Sequence, residues 1–215
     1  MVVASGPLGF GAEAAGLIDM RDVGLFVVRT ATLLHAVGRE NPGIDEVIQR
    51  HAPAWRDAVC AVALSVAAGT TAELRRLMRK VEGRRATLGI DAYELDLTAP
   101  CDALDGAPFE SSLDESARII DVAREATDLP LIAKFSPTAT SMSRLVSHCA
   151  DAGADIASIS GSPVGFLPDR SRRGAALAAG SGRLSGPLIR PLALAAVAEA
   201  AQVGALPIIG GGGIG

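Results

Sequence analysis

The sequence predicts an α/β protein built as an incomplete (β/α)8 TIM barrel. Seven short apolar runs alternate with helical patterns along the chain, and strands of this kind are typical of parallel sheets buried on both faces. Gly6, Gly9 and Gly11, near the amino terminus, do not have the GXGXXG spacing of an open dinucleotide-binding sheet. The barrel is therefore favoured over the doubly wound sheet.

The elements follow one another in a regular order. Helices with a buried stripe separate the strands: one stripe is Leu74, Leu77, Met78 and Val81, and another is Met142, Leu145, Val146 and Cys149, closed by Gly153. Ser112 and Glu115 have the spacing of a capping box, which predicts that a helix begins there. The seven predicted strands are VVAS (2–5), LFVVRT (25–30), CAVALSV (60–66), AYELDL (92–97), LIAKFS (131–136), IASIS (156–160) and PIIG (207–210).

Composition limits the possible functions. The 215 residues, 49% of them hydrophobic and 20% charged, fit a single folded domain, residues 1–215. The net charge is −4 and aromatic residues make up only 3% of the chain, so the basic surface and stacking platforms of nucleic-acid-binding proteins are absent from the sequence. We therefore expect a small-molecule substrate and no nucleic-acid partner.

The cysteines and the amino terminus indicate the redox environment and the cellular location. Cys60, Cys101 and Cys149 are odd in number and lack metal-ligand spacing, so we expect neither disulfides nor a metal site, and a reducing, cytoplasmic location. The first ten residues lack the charged and apolar regions of a signal peptide, and no apolar stretch approaches about 18 residues. No membrane partner is expected.

A barrel of this kind places its active site at the carboxyl ends of its strands. Lys134 interrupts the apolar run LIAKFS, and a lysine is costly to bury unless its ammonium reaches an acceptor. Arg29 is a similar exception in LFVVRT. The glycines at 210–213 would let backbone amides approach a phosphate closely. These residues predict an anionic ligand at the barrel mouth.

Several stretches together resemble the dihydroorotate dehydrogenases, FMN-containing barrel enzymes, and most closely their soluble class 1. The similarity covers essentially the whole chain, and its most specific element is the combination of KFSP, LSGPLIRP and IIGGGGI. The stretches are, in order, ASGPLGFG, NPGID, GIDAYELDLTAPC, LPLIAKFSPTAT, AGADIASISGS, SGRLSGPLIRPLAL and LPIIGGGGIG.

The resemblance implies that FMN lies across the mouth and accepts a hydride. Ala4, Ser5 and Gly6 match the turn that packs on the flavin ring, and Lys134 matches the lysine that binds it. Gly186, Gly212 and Gly213 match the glycines that line the ribityl phosphate. Arg29, in place of a lysine, and Ser160 at the end of the sixth strand complete the expected cofactor-binding set. Class 1 relatives are commonly dimers, so the resemblance also implies a homodimer.

The chain departs from the family at substrate residues. Where the family has an NISCPN-like motif with a cysteine base, this chain has Asp96-Leu97-Thr98-Ala99-Pro100-Cys101, so the base position is Ala99. Two further family asparagines fall at His35 and Gly161. Cys101, Asp96 and His35 are the candidate bases, and the absence of any base is the fourth alternative.

Three functions follow from these observations. The chain is expected to be an FMN-dependent oxidoreductase acting on dihydroorotate or a related small cyclic substrate, as in pyrimidine biosynthesis. The alternatives are a non-catalytic barrel that serves as a binding or interaction module, and a flavin-free barrel that binds a phosphorylated metabolite. Because a complete barrel takes about 250 residues and the chain ends after the seventh strand, we expect the eighth βα unit to be missing and FMN retention to be weak.

Overall fold

The seven predicted strands form one parallel sheet that curves into an incomplete barrel. The computed structural model describes residues 1–6, 8–11, 18–32, 42–169, 171, 173–178 and 180–213. The barrel strands are β1 (Val2–Val3), β2 (Leu25–Val27), β3 (Ala61–Val66), β4 (Ala92–Asp96), β5 (Leu131–Phe135), β6 (Ile156–Ile159) and, after four short strands outside the barrel, β11 (Ile208–Gly210). They lie side by side in chain order, so each strand pairs with the one before it.

The first two strands are shorter than the sequence predicts. β2 ends at Val27, but Ala31 resumes the pairing as an isolated bridge to Val66. The Ala31 N–H donates to the Ser65 carbonyl at 2.8 Å. The segment between them therefore leaves the ladder, and it places Arg29 and Thr30 at the rim rather than within the wall.

Among the described residues, five α-helices cover the outside of the barrel, and both predicted stripes are buried. At the start of α2 the Thr70 hydroxyl accepts from the Glu73 N–H. At the start of α3 half of the predicted capping box is present: the Ser112 hydroxyl accepts from the Glu115 N–H, whereas the Ser112 N–H donates to the Phe109 carbonyl. The helices are α1 (Ile44–Arg56), α2 (Thr71–Glu82), α3 (Leu113–Arg124), α4 (Met142–Asp151) and α5 (Arg190–Val203).

An insertion of two small antiparallel pairs follows β6, and the sequence did not predict it. β7 (Val164–Gly165) pairs with β10 (Gly182–Arg183), and β8 (Pro168–Asp169) pairs with β9 (Gly174–Ala175). Strands of two residues are too short to show a period of alternation. The insertion carries Arg183 to the barrel mouth.

The interior of the barrel changes character along its axis. Val27, Ala63, Ala92 and Ile132 form a small apolar cluster, which we call the floor, apart from the larger core between strands and helices. Two residues further along β3, β4 and β5, the same inward face carries Ser65, Glu94 and Lys134. The inward positions thus become polar towards the carboxyl ends of the strands.

Candidate functional site

A pocket of about 310 Å³ opens at the carboxyl ends of the strands. Its lining includes side chains from most barrel strand ends together with one residue of the insertion, and we call it the mouth pocket. The lining residues are Ser5, Gly6, Arg29, Thr30, Asp96, Thr98, Lys134, Ser160, Gly161, Ser162 and Arg183. Of the predicted cofactor-binding residues, the structure therefore brings together Ser5, Gly6, Arg29, Lys134 and Ser160.

Lys134 is the buried cation of this pocket, with 6% of the residue exposed. Its ammonium donates to the Ser5 hydroxyl at the rim and forms an ion pair with Glu94 Oε1 at 3.4 Å. Since the side chain of Glu94 is 1% exposed, the pair is shielded from water. Its strength is therefore only weakly reduced by salt.

Asp96 is the acidic side chain that lines the mouth pocket. It ends β4 beside Lys134 in the sheet register. The Thr98 backbone N–H and hydroxyl both donate to Asp96 Oδ1, at 3.1 and 2.6 Å. Two donors on one oxygen fix the orientation of this carboxylate at the pocket wall.

The other two candidate bases do not join Asp96 in the described pocket lining. Cys101 is buried in the hydrophobic core, with its backbone N–H donating to the Ala107 carbonyl at 2.9 Å. Ala99, the residue at the family's base position, is also buried there. His35 lies outside the described residues.

Three of the predicted phosphate-binding glycines form a second group beside the start of α5. Gly186, Gly212 and Gly213 all have positive φ, and a Cβ on Gly213 would lie 2.5 Å from the Gly186 carbonyl oxygen. Gly211 joins this group to the pocket, because its N–H donates to the Ile159 carbonyl and a Cβ on it would lie 3.1 Å from Ser160 Cβ. Only glycine fits this close backbone approach. Ala4, the remaining predicted residue, is half-buried after β1 and is not in the pocket lining.

Sequence reasoning missed Glu94 and Arg183. Glu94 interrupts the apolar run AYELDL just as Lys134 interrupts LIAKFS, so the same argument from burial cost could have found it. Arg183 could not be found in this way. Its position depends on the β7–β10 pair and on its donation to the Ser162 carbonyl at 2.9 Å.

No helix among the described segments of the chain is long and apolar enough to cross a membrane. The same part of the chain contains no group of three or more histidine, cysteine or acidic side chains placed to hold a metal ion. Burial raises the pKa of the Cys149 thiol to about 12, which suits its place in the α4 stripe.

Comparison with known proteins gives a consistent result. The family model described as dihydroorotate dehydrogenase matches residues 26–215. The catalytic subunit of dihydroorotate dehydrogenase B (NAD(+)) from Desulforudis audaxviator is 33% identical over 232 aligned residues, which cover 100% of this chain and 75% of the relative. The catalytic subunit of the same name from Geotalea uraniireducens is 30% identical with the same coverage.

Proposed function

Because this chain belongs to the dihydroorotate dehydrogenase family, we propose that it is an FMN-dependent oxidoreductase acting on the CH–CH bond of a small cyclic substrate. The observation that carries the proposal is the buried Lys134 ammonium, which is aimed at Ser5 on the rim of the mouth pocket. A buried ammonium at that place suits the electron-rich edge of a flavin ring. Dihydroorotate is the first substrate to test, since the relatives are named for it.

The residues present fit FMN at two points. Lys134, Ser5 and Gly6 would hold the ring at the mouth. Gly186, Gly212 and Gly213 would hold the phosphate, since their positive φ values and the absence of side chains leave backbone groups accessible beside the start of α5. Arg29 and Ser160 also line the pocket and would contact the same ligand.

When bound, FMN supplies a two-electron acceptor for hydride. Oxidation of a CH–CH bond also releases a proton, and the protein must accept it. We assign this role to Asp96, because its carboxylate lines the mouth pocket and is oriented by Thr98. The substrate carbon would give its proton to this carboxylate as the adjacent carbon gives its hydride.

The base assignment is tested with three variants. Asp96→Asn preserves the shape but removes the proton acceptor, so kcat should fall about 10²- to 10⁴-fold while FMN binding is preserved. Cys101→Ser and His35→Gln should leave kcat within a factor of about two of the parent. Full activity of Asp96→Asn would show that Asp96 is not the base, and so would a loss in a folded Cys101→Ser or His35→Gln that exceeds the loss in Asp96→Asn.

A second function is supported by Ala99, which leaves the family's base position without a proton acceptor. In this function the chain is a non-catalytic barrel that binds a ligand or a partner. The two functions differ in what happens to bound flavin. We expect the purified protein to take up FMN with a visible flavin spectrum, and substrate to bleach that spectrum anaerobically.

Two results of that experiment contradict the first proposal. A flavin spectrum that no substrate bleaches, in a protein whose flavin is still photoreduced, would favour the non-catalytic function. A colourless protein that takes up no added FMN would exclude the oxidoreductase and leave two flavin-free functions: a barrel that binds a phosphorylated metabolite at Lys134 and the glycine group, and a non-catalytic module that binds a partner.

We also infer that the protein assembles as a homodimer. Several large apolar side chains lie exposed on and around the insertion, and single folded chains rarely expose many of these together. They are Val164, Phe166, Leu167, Leu177, Leu184 and Leu188. Light scattering should give twice the mass of one chain, and Phe166→Ser should shift the mass towards the monomer.

A further inference from the structure

A buried carboxylate, Glu94, lies just below the mouth pocket without lining it. It is two residues before Asp96 on the inward face of β4. A carboxylate in a protein interior is unfavourable unless hydrogen bonds and an opposite charge compensate for its lost hydration. The contacts of Glu94 therefore indicate its role.

The hydroxyl of Ser65 and the ammonium of Lys134 both contact the same oxygen of Glu94. Oε1 accepts from the Ser65 hydroxyl at 2.8 Å and from the Lys134 ammonium at 3.4 Å. Because the same ammonium also donates to the Ser5 hydroxyl, it lies between a carboxylate below and the pocket rim above. Glu94 thus limits where the end of the Lys134 side chain can lie.

Asp96, the other carboxylate of β4, does not hold the Lys134 ammonium. It is the register partner of Lys134 on the neighbouring strand, but within the described residues the ion pair of Lys134 is with Glu94. Asp96 Oδ1 accepts instead from Thr98. The two carboxylates of β4 are therefore separated, one below the pocket against the lysine and one in the pocket wall.

Ser65 connects Glu94 to the other side of the rim, because its hydroxyl and that of Thr30 are 2.9 Å apart. The connected side chains form one line across five strand ends, which we call the mouth chain: Ser5, Lys134, Glu94, Ser65 and Thr30. Its two ends and Lys134 line the pocket, whereas Glu94 and Ser65 lie beneath it. The mouth chain therefore holds Ser5, Lys134 and Thr30 in fixed positions in the pocket lining.

We propose that Glu94 is a positioning residue: its carboxylate, held by Ser65, fixes the Lys134 ammonium at the rim of the mouth pocket where the flavin ring would bind. This inference rests on the proposed function. Glu94 acts through Lys134 and does not itself touch cofactor or substrate. Ser65 is expected to contribute less, since it orients the carboxylate but carries no charge.

The test compares Glu94→Gln with Lys134→Gln, the double variant and a control. Glu82→Gln is the matched control, because Glu82 is also a largely buried carboxylate, accepting from the Tyr93 and Thr127 hydroxyls at 2.7 and 2.9 Å, but it lies outside the mouth pocket. For each protein, FMN affinity is measured by quenching of flavin fluorescence. The thermal midpoint of the cofactor-free protein reports folding.

Glu94→Gln should raise the Kd for FMN about tenfold, by analogy with metal sites, where loss of a residue that orients a ligand weakens binding by at least this factor. The double variant should match Lys134→Gln, because a residue that acts only through Lys134 has no further effect once the ammonium is gone. Glu82→Gln should lower the thermal midpoint and leave the Kd unchanged. An unchanged Kd in folded Glu94→Gln, or losses that add in the double variant, would overturn the proposal.

A second measurement needs no FMN. Lys80 and Lys134 are the only two lysines of the chain, and Lys80 is exposed. An ammonium held by a carboxylate and a hydroxyl reacts slowly with an acetylating reagent, so Glu94→Gln should accelerate acetylation of Lys134 several-fold relative to Lys80, as read by mass spectrometry. An unchanged ratio would contradict the inference. If the parent protein takes up no FMN, the proposed function fails and this ratio alone decides the role of Glu94.

Discussion

Ile132 and Lys134 lie two residues apart on the same face of β5, and both are buried. Ile132 packs against Val27, Ala63 and Ala92 in the floor. Lys134 instead meets Glu94 and Ser5 in the mouth chain. One step along a strand thus separates a region that needs only apolar packing from a region where every polar group needs a specific partner. The first should tolerate volume-conserving changes, and the second should not.

The largest effect should come from breaking the buried ion pair. Lys134→Met fills a similar volume but leaves Glu94 charged and without its cation, so we expect the free energy of unfolding to fall by about 3–5 kcal/mol. FMN uptake should be lost as well. Urea unfolding followed by circular dichroism measures the first effect, and visible absorbance measures the second.

The control is the double variant Lys134→Met with Glu94→Gln. It removes the unpaired charge, so it should recover most of the lost stability without recovering FMN uptake. If the double variant were no more stable than Lys134→Met, the loss would come from packing, and the difference between mouth and floor would not be electrostatic.

In the floor, Ile132→Ala should cost about 2–5 kcal/mol, because it leaves a cavity that rigid strands cannot fill. The pocket is lined by other residues, so the Kd for FMN should remain within about a factor of two of the parent at a temperature where the variant is folded. Ile132→Val is the conservative comparison and should cost about 0.5–1.5 kcal/mol. A large rise of the Kd in folded Ile132→Ala would show that the floor and the mouth are coupled.

A smaller effect is expected at Gly161, where the family has an asparagine. A Cβ there would lie 2.8 Å from the Phe135 carbonyl oxygen and 3.0 Å from Ser136 Cα, both of them backbone atoms that must shift. Gly161→Ala should therefore cost about 1–3 kcal/mol and weaken FMN binding. Gly24→Ala is the control, because its nearest neighbour would be the Met1 carbonyl at 3.6 Å, an ordinary contact. Equal stability of the two variants would contradict the steric argument.

The close packing around Gly161 also bears on whether the family's asparagine would fit at this position. Restoring the asparagine at 161 also brings its Cβ within 2.9 Å of Thr98 Cγ2. The same Thr98 holds Asp96 through two hydrogen bonds. The departures at 96, 98 and 161 therefore meet at one wall of the mouth pocket, and an asparagine at 161 would press on the residue that orients Asp96.

The strands and helices that form the wall of the barrel could be predicted from the sequence, but the side-chain contacts at its mouth could not. The seven strands and the two helix stripes were predicted because apolar periodicity records burial directly. The ion pair of Lys134 was not, because its partner lies 40 residues away and is set by strand register. The position of Cys101 outside the pocket depends on the turn after β4, where its backbone bonds to Gly106 and Ala107. The pair Asp105-Gly106 indicates a turn, but it does not indicate where that turn places the Cys101 side chain.

The smallest expected effect is at the surface ion pair that resembles the one in the mouth. Asp45 on α1 contacts Lys80 and Arg84 beside α2, and these cations hold its pKa below the ordinary value of 3.8, with Lys80 the main cause. A carboxyl whose pKa is lowered by folding adds stability above its unfolded pKa, and this stability disappears as the pH falls through the folded pKa. About half of the Asp45 side chain is exposed, so we expect the contribution to be less than about 1 kcal/mol.

Asp45→Asn should therefore lower the free energy of unfolding slightly at pH 7, and the difference from the parent should shrink at pH 3 and below. Urea unfolding at both pH values, at low and high salt, measures this. High salt should remove much of the difference at pH 7, whereas it should leave the cost of Lys134→Met nearly unchanged, because water and ions reach Asp45 but not Glu94. Equal salt sensitivity of the two variants would mean that the mouth chain is as open to solvent as the helix surface.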